Sequence, residues 1–106
     1  MTQRMFFILA AALALHGAAA AQSADGAKLY AEKTCVACHG KDGTKPLTPD
    51  YPRIAGQSAK YAERQMLDIK SGARSNGNSA AMKGVMHLVS DAEIKVLAEY
   101  LSKLKP

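Results

Sequence analysis

The chain has 106 residues, the size of a single domain, and a formal net charge of +5 at pH 7. Apart from Arg4, its basic residues are spread from Lys28 to Lys105 without a run, which disfavours nucleic acid as a partner. A small positive excess can steer a protein toward an acidic protein surface or simply keep it soluble, and composition does not separate these two interpretations.

The N-terminal residues are typical of a secretory signal peptide. Arg4 precedes an apolar run at residues 5–15, and small residues follow up to Ala21. The run has about 11 residues, whereas a membrane-spanning helix needs roughly 20, so an uncleaved anchor is the weaker alternative. We therefore expect residues 1–21 to be a cleaved signal peptide and residues 22–106 to form one periplasmic domain.

Helical signals dominate the exported part, which has no alternating run typical of a strand. A first helix is predicted to begin near Ser23 or Asp25 and to run into the cysteine motif. Ser58 can cap a second helix, and Gly72 can end it, because glycine readily adopts the left-handed conformation found after helices.

The most clearly marked helix lies near the end of the chain. Ser90 and Glu93 form a capping box, and apolar residues follow at three- and four-residue spacing, which predicts a helix from about residue 91 to 104. Two irregular stretches, residues 40–57 and 71–81, separate the helices. Stretches of that length in a small domain need something to pack against. The predicted fold class is all-α.

The motif C-x-x-C-H, formed by Cys35, Cys38 and His39, uses both cysteines of the chain. A redox-active dithiol of the thioredoxin type needs a sheet, and the sequence offers no strands for one. A zinc site completed by His87 would require the adjacent Cys38 and His39 to bend toward one ion. A disulfide between the cysteines would close a very small loop and stabilise little.

Covalent haem attachment is the chemistry that this motif indicates directly. Both thiols bond to one porphyrin, and the imidazole of the next residue reaches the iron from one face. Export agrees with this interpretation, because covalent haem attachment takes place outside the cytoplasm. We therefore predict one haem c, bound through Cys35 and Cys38, with His39 as an iron ligand.

The sixth iron ligand decides whether substrates can reach the metal. The candidates in the exported part are Met66, Met82, Met86 and His87. Met66 lies on the apolar stripe of the second helix and is expected to pack in the core. The other three follow a Gly/Asn/Ser-rich stretch that could wrap around the haem, and spacing alone does not choose among them.

With these motifs in hand, the exported part resembles the class I c-type cytochromes, in particular the small monohaem periplasmic cytochromes of bacteria. The resemblance covers essentially the whole of residues 22–106, which would then form a cytochrome c domain. Besides C-x-x-C-H it rests on a proline-containing segment that ends in Ala-Gly-Gln (51–57), Tyr61 and Gln65 on the next helix, and Lys70-Ser71-Gly72.

The resemblance implies a cytochrome c-like fold with three to four helices around one covalently bound haem. In this family the first and last helices cross. The first helix contributes a glycine and an aromatic residue to the crossing, and the last helix contributes an apolar and an aromatic residue. The matching residues here are Gly26 and Tyr30 on the first helix and Leu97 and Tyr100 on the last. The axial methionine of such proteins lies eight residues before the cap of the last helix, which implies Met82.

The proline loop, residues 40–57 with Pro46, Pro49 and Pro52, is expected to orient the iron-binding histidine. A ligating imidazole normally donates a hydrogen bond from its other nitrogen. The carbonyl of Pro52 is the expected partner of His39, with Pro49 as the second choice.

These expectations describe a periplasmic electron carrier with His/Met ligation and no enzymatic activity of its own. Its partners would be redox proteins that act as electron donors and acceptors. Docking would be partly electrostatic through Lys41, Arg53 and Lys83, and the mature protein would be a monomer without a membrane span. Two alternatives stay open: an electron-transfer subunit of a larger periplasmic oxidoreductase complex, and a five-coordinate ligand-binding or catalytic haem if Met82 does not bind.

Overall fold

The computed structural model describes residues 25–106, and this part of the chain is helical with no strand. The predicted signal peptide and the helix start at Ser23 lie outside the described residues. Within residues 25–106 no helix combines the length and the apolar character needed to cross a bilayer. The helices are α1 (25–32), α2 (Cys35–His39), α3 (Ala59–Ser71), α4 (Ser79–Met86) and α5 (Asp91–Ser102).

The caps of α3 and α5 lie where the sequence predicts them. The Ser58 side chain accepts a hydrogen bond from the backbone N–H of Tyr61, and Gly72 follows α3 in the left-handed conformation. Ser90 and Glu93 exchange both bonds of the capping box at the start of α5. Helix α5 ends at Ser102, two residues before the predicted end at residue 104. After Ser102 the backbone N–H groups donate to carbonyls three residues back instead of four, which is the tighter 3₁₀ pattern.

The first helix stops before the cysteine motif, which differs from the continuous helix predicted there. Its described part ends at residue 32, and a turn at Lys33 and Thr34 separates it from α2. Thr34 has a φ of 66°. The left-handed conformation is rare for a β-branched residue and cannot continue a right-handed helix. The cysteine motif therefore occupies a short helix of its own.

Helix α4 was not predicted from the sequence. It begins within the Gly/Asn/Ser-rich stretch that was assigned to a loop, and the side chain of its N-cap residue, Asn78, makes no capping bond. Gly84 lies inside the helix, where glycine lowers helix propensity by about 1 kcal/mol relative to alanine. Tertiary packing offsets this loss of helix propensity, because Met86 at the end of α4 is buried in the core with 1% of its surface exposed.

The first and last helices cross as the family resemblance implied. A Cβ atom at Gly26 would overlap the Cβ and Cγ atoms of Tyr100, so only glycine fits this crossing. The rings of Tyr30 and Tyr100 lie beside it, with centroids 5.8 Å apart and planes tilted by 52°. The Tyr30 hydroxyl donates a 2.5 Å hydrogen bond to the Gly40 carbonyl, which connects the crossing to the loop after α2.

The hydrophobic core lies mainly along α3, which packs against both α4 and α5. Its fully buried members from α5 and the preceding turn are Val89, Ile94 and Leu97, and Met66 from α3 is buried as expected for a core residue. Residues of α2, α3 and α4 line one common cavity.

Candidate haem site

Both cysteines and the adjacent histidine lie on α2. Cys35 and Cys38 are one helical turn apart, so their side chains share one face of the helix. Both are half-buried, and no disulfide joins their sulfur atoms. Burial raises the pKa of the Cys35 thiol above its ordinary value.

The imidazole of His39 is held from one side by the proline loop. Its Nδ1 atom lies 2.9 Å from the carbonyl oxygen of Pro52. A carbonyl can only accept a hydrogen bond, so Nδ1 donates, and Nε2 then carries the lone pair that can bind a metal. The Tyr51 ring packs edge-on at a centroid distance of 6.4 Å, and His39 is 5% exposed.

Backbone hydrogen bonds fix the shape of the proline loop. The Gly43 carbonyl accepts bonds from the N–H groups of Ile54 and Ala55, at 2.9 and 3.2 Å. The Leu47 N–H donates to the Cys38 carbonyl at 2.9 Å, which joins the loop to α2. These contacts place the Pro52 carbonyl beside His39 without relying on any side-chain interaction.

A cavity of about 330 Å³ lies against the three residues of the motif. Its volume falls within the roughly 300–1,000 Å³ of ligand pockets in proteins. Apolar side chains of α3, α4 and α5 form much of its wall, including Ile69, Val85 and Leu97. A largely apolar cavity with two thiols and an imidazole on one side has the donor set and the character that a porphyrin requires.

The candidates for the sixth ligand take different positions around this cavity. Met82 lines it and is partly exposed, and its side chain packs against the edge of the core. Met86 also lines it but is 1% exposed, and Met66 is likewise a buried core residue. His87 is exposed and is not among the residues that line the cavity.

The zinc alternative lacks an assembled ligand set in the described part of the chain. Residues 25–106 contain no group of three or more His, Cys, Asp or Glu side chains placed to hold a metal ion. His87, the fourth ligand that this alternative would need, lies away from the cavity.

Two polar residues of the cavity wall were not recognised from their chemistry in the sequence. Arg74 lines the cavity, and its Nη1 atom donates a 3.0 Å hydrogen bond to Oε1 of Gln65. Gln65 was noted only through the family resemblance. Arg74 lies in the stretch at 71–81, which was considered only as a flexible loop. The sequence feature that could have indicated Arg74 is that it is the single arginine among the small and uncharged residues of 71–81.

Comparison with known proteins agrees with this geometry. The family model for cytochrome c matches residues 23–105. Cytochrome c-553 of Nitratidesulfovibrio vulgaris is 38% identical over 96 residues, which cover 91% of each chain. Cytochrome c-554(548) of Halomonas halodenitrificans is 45% identical over 69 residues, which cover 65% of this chain and 82% of that protein.

The fold is also similar to that of a solved cytochrome structure. Reduced recombinant cytochrome c4 from Pseudomonas stutzeri superposes with a TM-score of 0.70 at 29% identity. The match covers 80% of this chain and 49% of that one, so the likeness extends over about half of the longer protein. The chain belongs to the cytochrome c family, as a small class I c-type cytochrome that transfers electrons through covalently bound haem c.

Proposed function

We propose that this protein is a periplasmic one-electron carrier in which His39 and Met82 are the two axial ligands of the haem iron. The observation that carries the proposal is that both side chains line one cavity although they come from different elements, α2 and α4. Cys35 and Cys38 line the same cavity and would hold the haem through thioether bonds.

The bound haem supplies a couple that gains and loses one electron at its iron. The chain's own residues determine how that couple behaves. The hydrogen bond from His39 to Pro52 would orient the imidazole and raise its basicity as a ligand. The thioether of Met82 would favour ferrous iron and raise the reduction potential. Since protein side chains would occupy both axial positions, no substrate could bind the iron, which favours a carrier over an enzyme.

The residues before the domain would direct export. Residues 1–21 have the order of charge, apolar run and small residues that signal peptidases recognise. Protein recovered from a periplasmic fraction is expected to begin at Gln22, as N-terminal sequencing would show. Recovery of the intact chain in the membrane fraction would contradict this part of the proposal.

Redox proteins would be the partners of this carrier, and docking would be partly electrostatic. Lys41 and Arg53 are exposed on the loop beside the haem-attachment helix, and Lys83 follows the proposed methionine ligand. Attraction between exposed charges reaches about 30 Å at 0.01 M salt but only about 8 Å at 0.15 M. Electron-transfer rates with a physiological partner should therefore fall as salt is added, and rates indifferent to salt would exclude electrostatic steering.

A permanent subunit of a larger periplasmic complex is the second candidate. The observation that favours it is that this chain matches only about half of the cytochrome c4 chain. In cytochrome c4 the same fold is therefore one part of a longer protein. Size-exclusion chromatography of a periplasmic extract separates the two functions. A carrier elutes as a free monomer that holds haem, whereas a subunit elutes only together with its partner.

Covalent attachment through both cysteines provides the test of the haem-binding part of the proposal. Acid–acetone extraction of the wild-type protein should leave the haem on the chain. The double variant Cys35→Ala, Cys38→Ala should hold no haem after the same extraction and should be largely unfolded. Haem that stays bound to the double variant would exclude thioether attachment at these positions.

A further inference from the structure

The segment between α3 and α4 contains both asparagines of the chain, Asn76 and Asn78. Both are exposed, and both belong to the wall of the cavity. They differ in the residue that follows, which is Gly77 after the first and Ser79 after the second. The backbone nitrogen of the next residue can attack the side-chain amide of an asparagine. The surroundings of that nitrogen therefore decide how stable each amide is.

The backbone nitrogen after Asn76 is open to reaction. A Cβ atom placed on Gly77 would meet nothing within 4 Å, and within residues 25–106 its N–H donates no hydrogen bond. The side-chain hydrogen bonds of this segment come from Ser71 and Arg74 and do not involve the Asn76 amide. Gly77 has a φ of 56°, and glycine adopts either sign of φ readily. This peptide group can therefore turn toward the Asn76 side chain at little cost.

The backbone nitrogen after Asn78 is protected by the fold. The Ser79 N–H donates a 3.1 Å hydrogen bond to the Asn76 carbonyl. Ser79 is also the first residue of α4, and it is buried. Attack on the Asn78 amide would require this bond to break and the first turn of α4 to open. The fold thus leaves one asparagine open to the nitrogen that follows it and shields the other, two positions further along the chain.

We propose that Asn76-Gly77 is a site of self-modification, at which the Asn76 amide is converted to a carboxylate through a cyclic succinimide. In the first step a base in solution takes the Gly77 N–H proton, and the nitrogen bonds to Cγ of Asn76. The bond from Cγ to the amide nitrogen breaks, and ammonia leaves. In the second step water adds to one of the ring carbonyls and breaks its bond to the Gly77 nitrogen. The whole reaction exchanges ammonia for water and transfers no electron.

The product depends on which ring carbonyl water attacks. Attack at the side-chain carbonyl gives aspartate and leaves the main chain unchanged. Attack at the backbone carbonyl gives isoaspartate, in which the main chain continues through Cγ. That backbone carbonyl accepts the Ser79 N–H, so isoaspartate disturbs the start of α4, the helix that carries the proposed methionine ligand. Either product replaces a neutral amide on the cavity wall with a negative charge.

Incubation of the purified holoprotein in mildly alkaline buffer tests the proposal with an internal control. Trypsin cuts after Arg74 and Lys83, so one peptide, 75–83, contains both asparagines. Tandem mass spectrometry assigns the mass difference between water and ammonia to one of them, and a sample digested without incubation gives the baseline. We expect Asn76 to react at least about ten-fold faster than Asn78, because the Ser79 N–H must first lose its hydrogen bond. Fragmentation by electron transfer should show isoaspartate together with aspartate at Asn76.

Two comparisons separate the effect of the fold from that of the local sequence. Unfolding in guanidinium chloride should raise the rate at Asn78, because it releases the Ser79 N–H, and should change the rate at Asn76 little. Gly77→Ala places a methyl group beside the attacking nitrogen and should slow the reaction at Asn76, whereas Ser75→Ala on its other side should not.

Equal rates at the two asparagines of the folded holoprotein would overturn the proposal, and so would an Asn76 that reacts only after unfolding. A product that contains aspartate without isoaspartate would also overturn it, because direct hydrolysis of the amide forms no ring. These measurements require no redox activity, so their failure is distinguishable from a failure of the carrier function.

Discussion

The ammonium group of Lys70 donates a 2.7 Å hydrogen bond to the carbonyl oxygen of Val89 and lies 2.9 Å from the Asp91 carboxylate. The carbonyl of the preceding residue, Leu88, accepts a 3.0 Å hydrogen bond from a second lysine, Lys33. The carbonyls that follow a helix lack intrahelical partners. Two lysines from other elements therefore hold the turn after α4, the helix that carries the proposed methionine ligand.

Lys70→Met should destabilise the protein while keeping most of the apolar stem of the side chain. A hydrogen bond from a charged donor contributes about 1.5–3 kcal/mol, and partial exposure of the ammonium reduces the expected loss to about 1–2 kcal/mol. Urea unfolding of the holoprotein measures this loss. Lys95→Met on the exposed face of α5 is the matched control and should change stability by less than about 0.5 kcal/mol. Equal stability of the two variants would show that the bonds from Lys70 to Val89 and Asp91 contribute nothing.

A methyl group at the helix crossing should be costly. Gly26→Ala would force Tyr100 away from α1, and overpacking of this kind costs about 1–3 kcal/mol. Gly84→Ala is the matched control, because a Cβ atom there meets nothing within 4 Å and the residue lies inside α4. The control should stabilise the protein by up to about 1 kcal/mol through helix propensity. Thermal unfolding that moves in the same direction for both variants would contradict the close contact.

The buried phenol of Tyr30 predicts a loss of stability in alkali. Burial raises the pKa of Tyr30 to about 12 from its ordinary value of 10.0, so the folded protein keeps a proton that the unfolded chain releases. This contribution is complete below pH 10 and is lost as the pH rises from 10 to about 12. At about 1.4 kcal/mol for each pKa unit, the loss amounts to at most about 3 kcal/mol.

Comparison with Tyr30→Phe isolates this effect. The variant loses the hydrogen bond to the Gly40 carbonyl, so its stability at neutral pH should be lower by about 0.5–1.5 kcal/mol. Between pH 10 and 12 its free energy of unfolding should fall less steeply than that of wild type. Parallel curves over this interval would show that the phenol is not protected from ionisation.

The features predictable from the sequence are those that local chemistry determines. The Ser58 and Ser90 caps, the stop at Gly72 and the C-x-x-C-H motif each depend on residues within a few positions of one another. The contact between Gly26 and Tyr100 is distant in the chain, and the family resemblance supplied it.

The unpredicted features depend on long-range packing. Helix α4 has no side-chain cap and contains a glycine, so its formation requires the burial of Met86. The hydrogen bonds from Lys33 and Lys70 to backbone carbonyls produce no recognisable pattern in the sequence, because a residue of any type supplies a backbone carbonyl. Arg74 reaches the cavity only because the chain reverses after α3, which composition does not reveal.

The identity of the sixth ligand tests the central claim most directly, since it separates a carrier from an open haem. The measurement is the absorption spectrum of the oxidised protein, in which methionine ligation gives a weak sulfur–iron band at the red end of the visible range. Met82→Ala should abolish the band, lower the potential and open the iron to added cyanide. Met86→Ala should keep the band and cost about 2–5 kcal/mol of stability, because that side chain is 1% exposed. A band that survives in Met82→Ala and vanishes in Met86→Ala would contradict the assignment, and a wild-type protein without the band would contradict the carrier function.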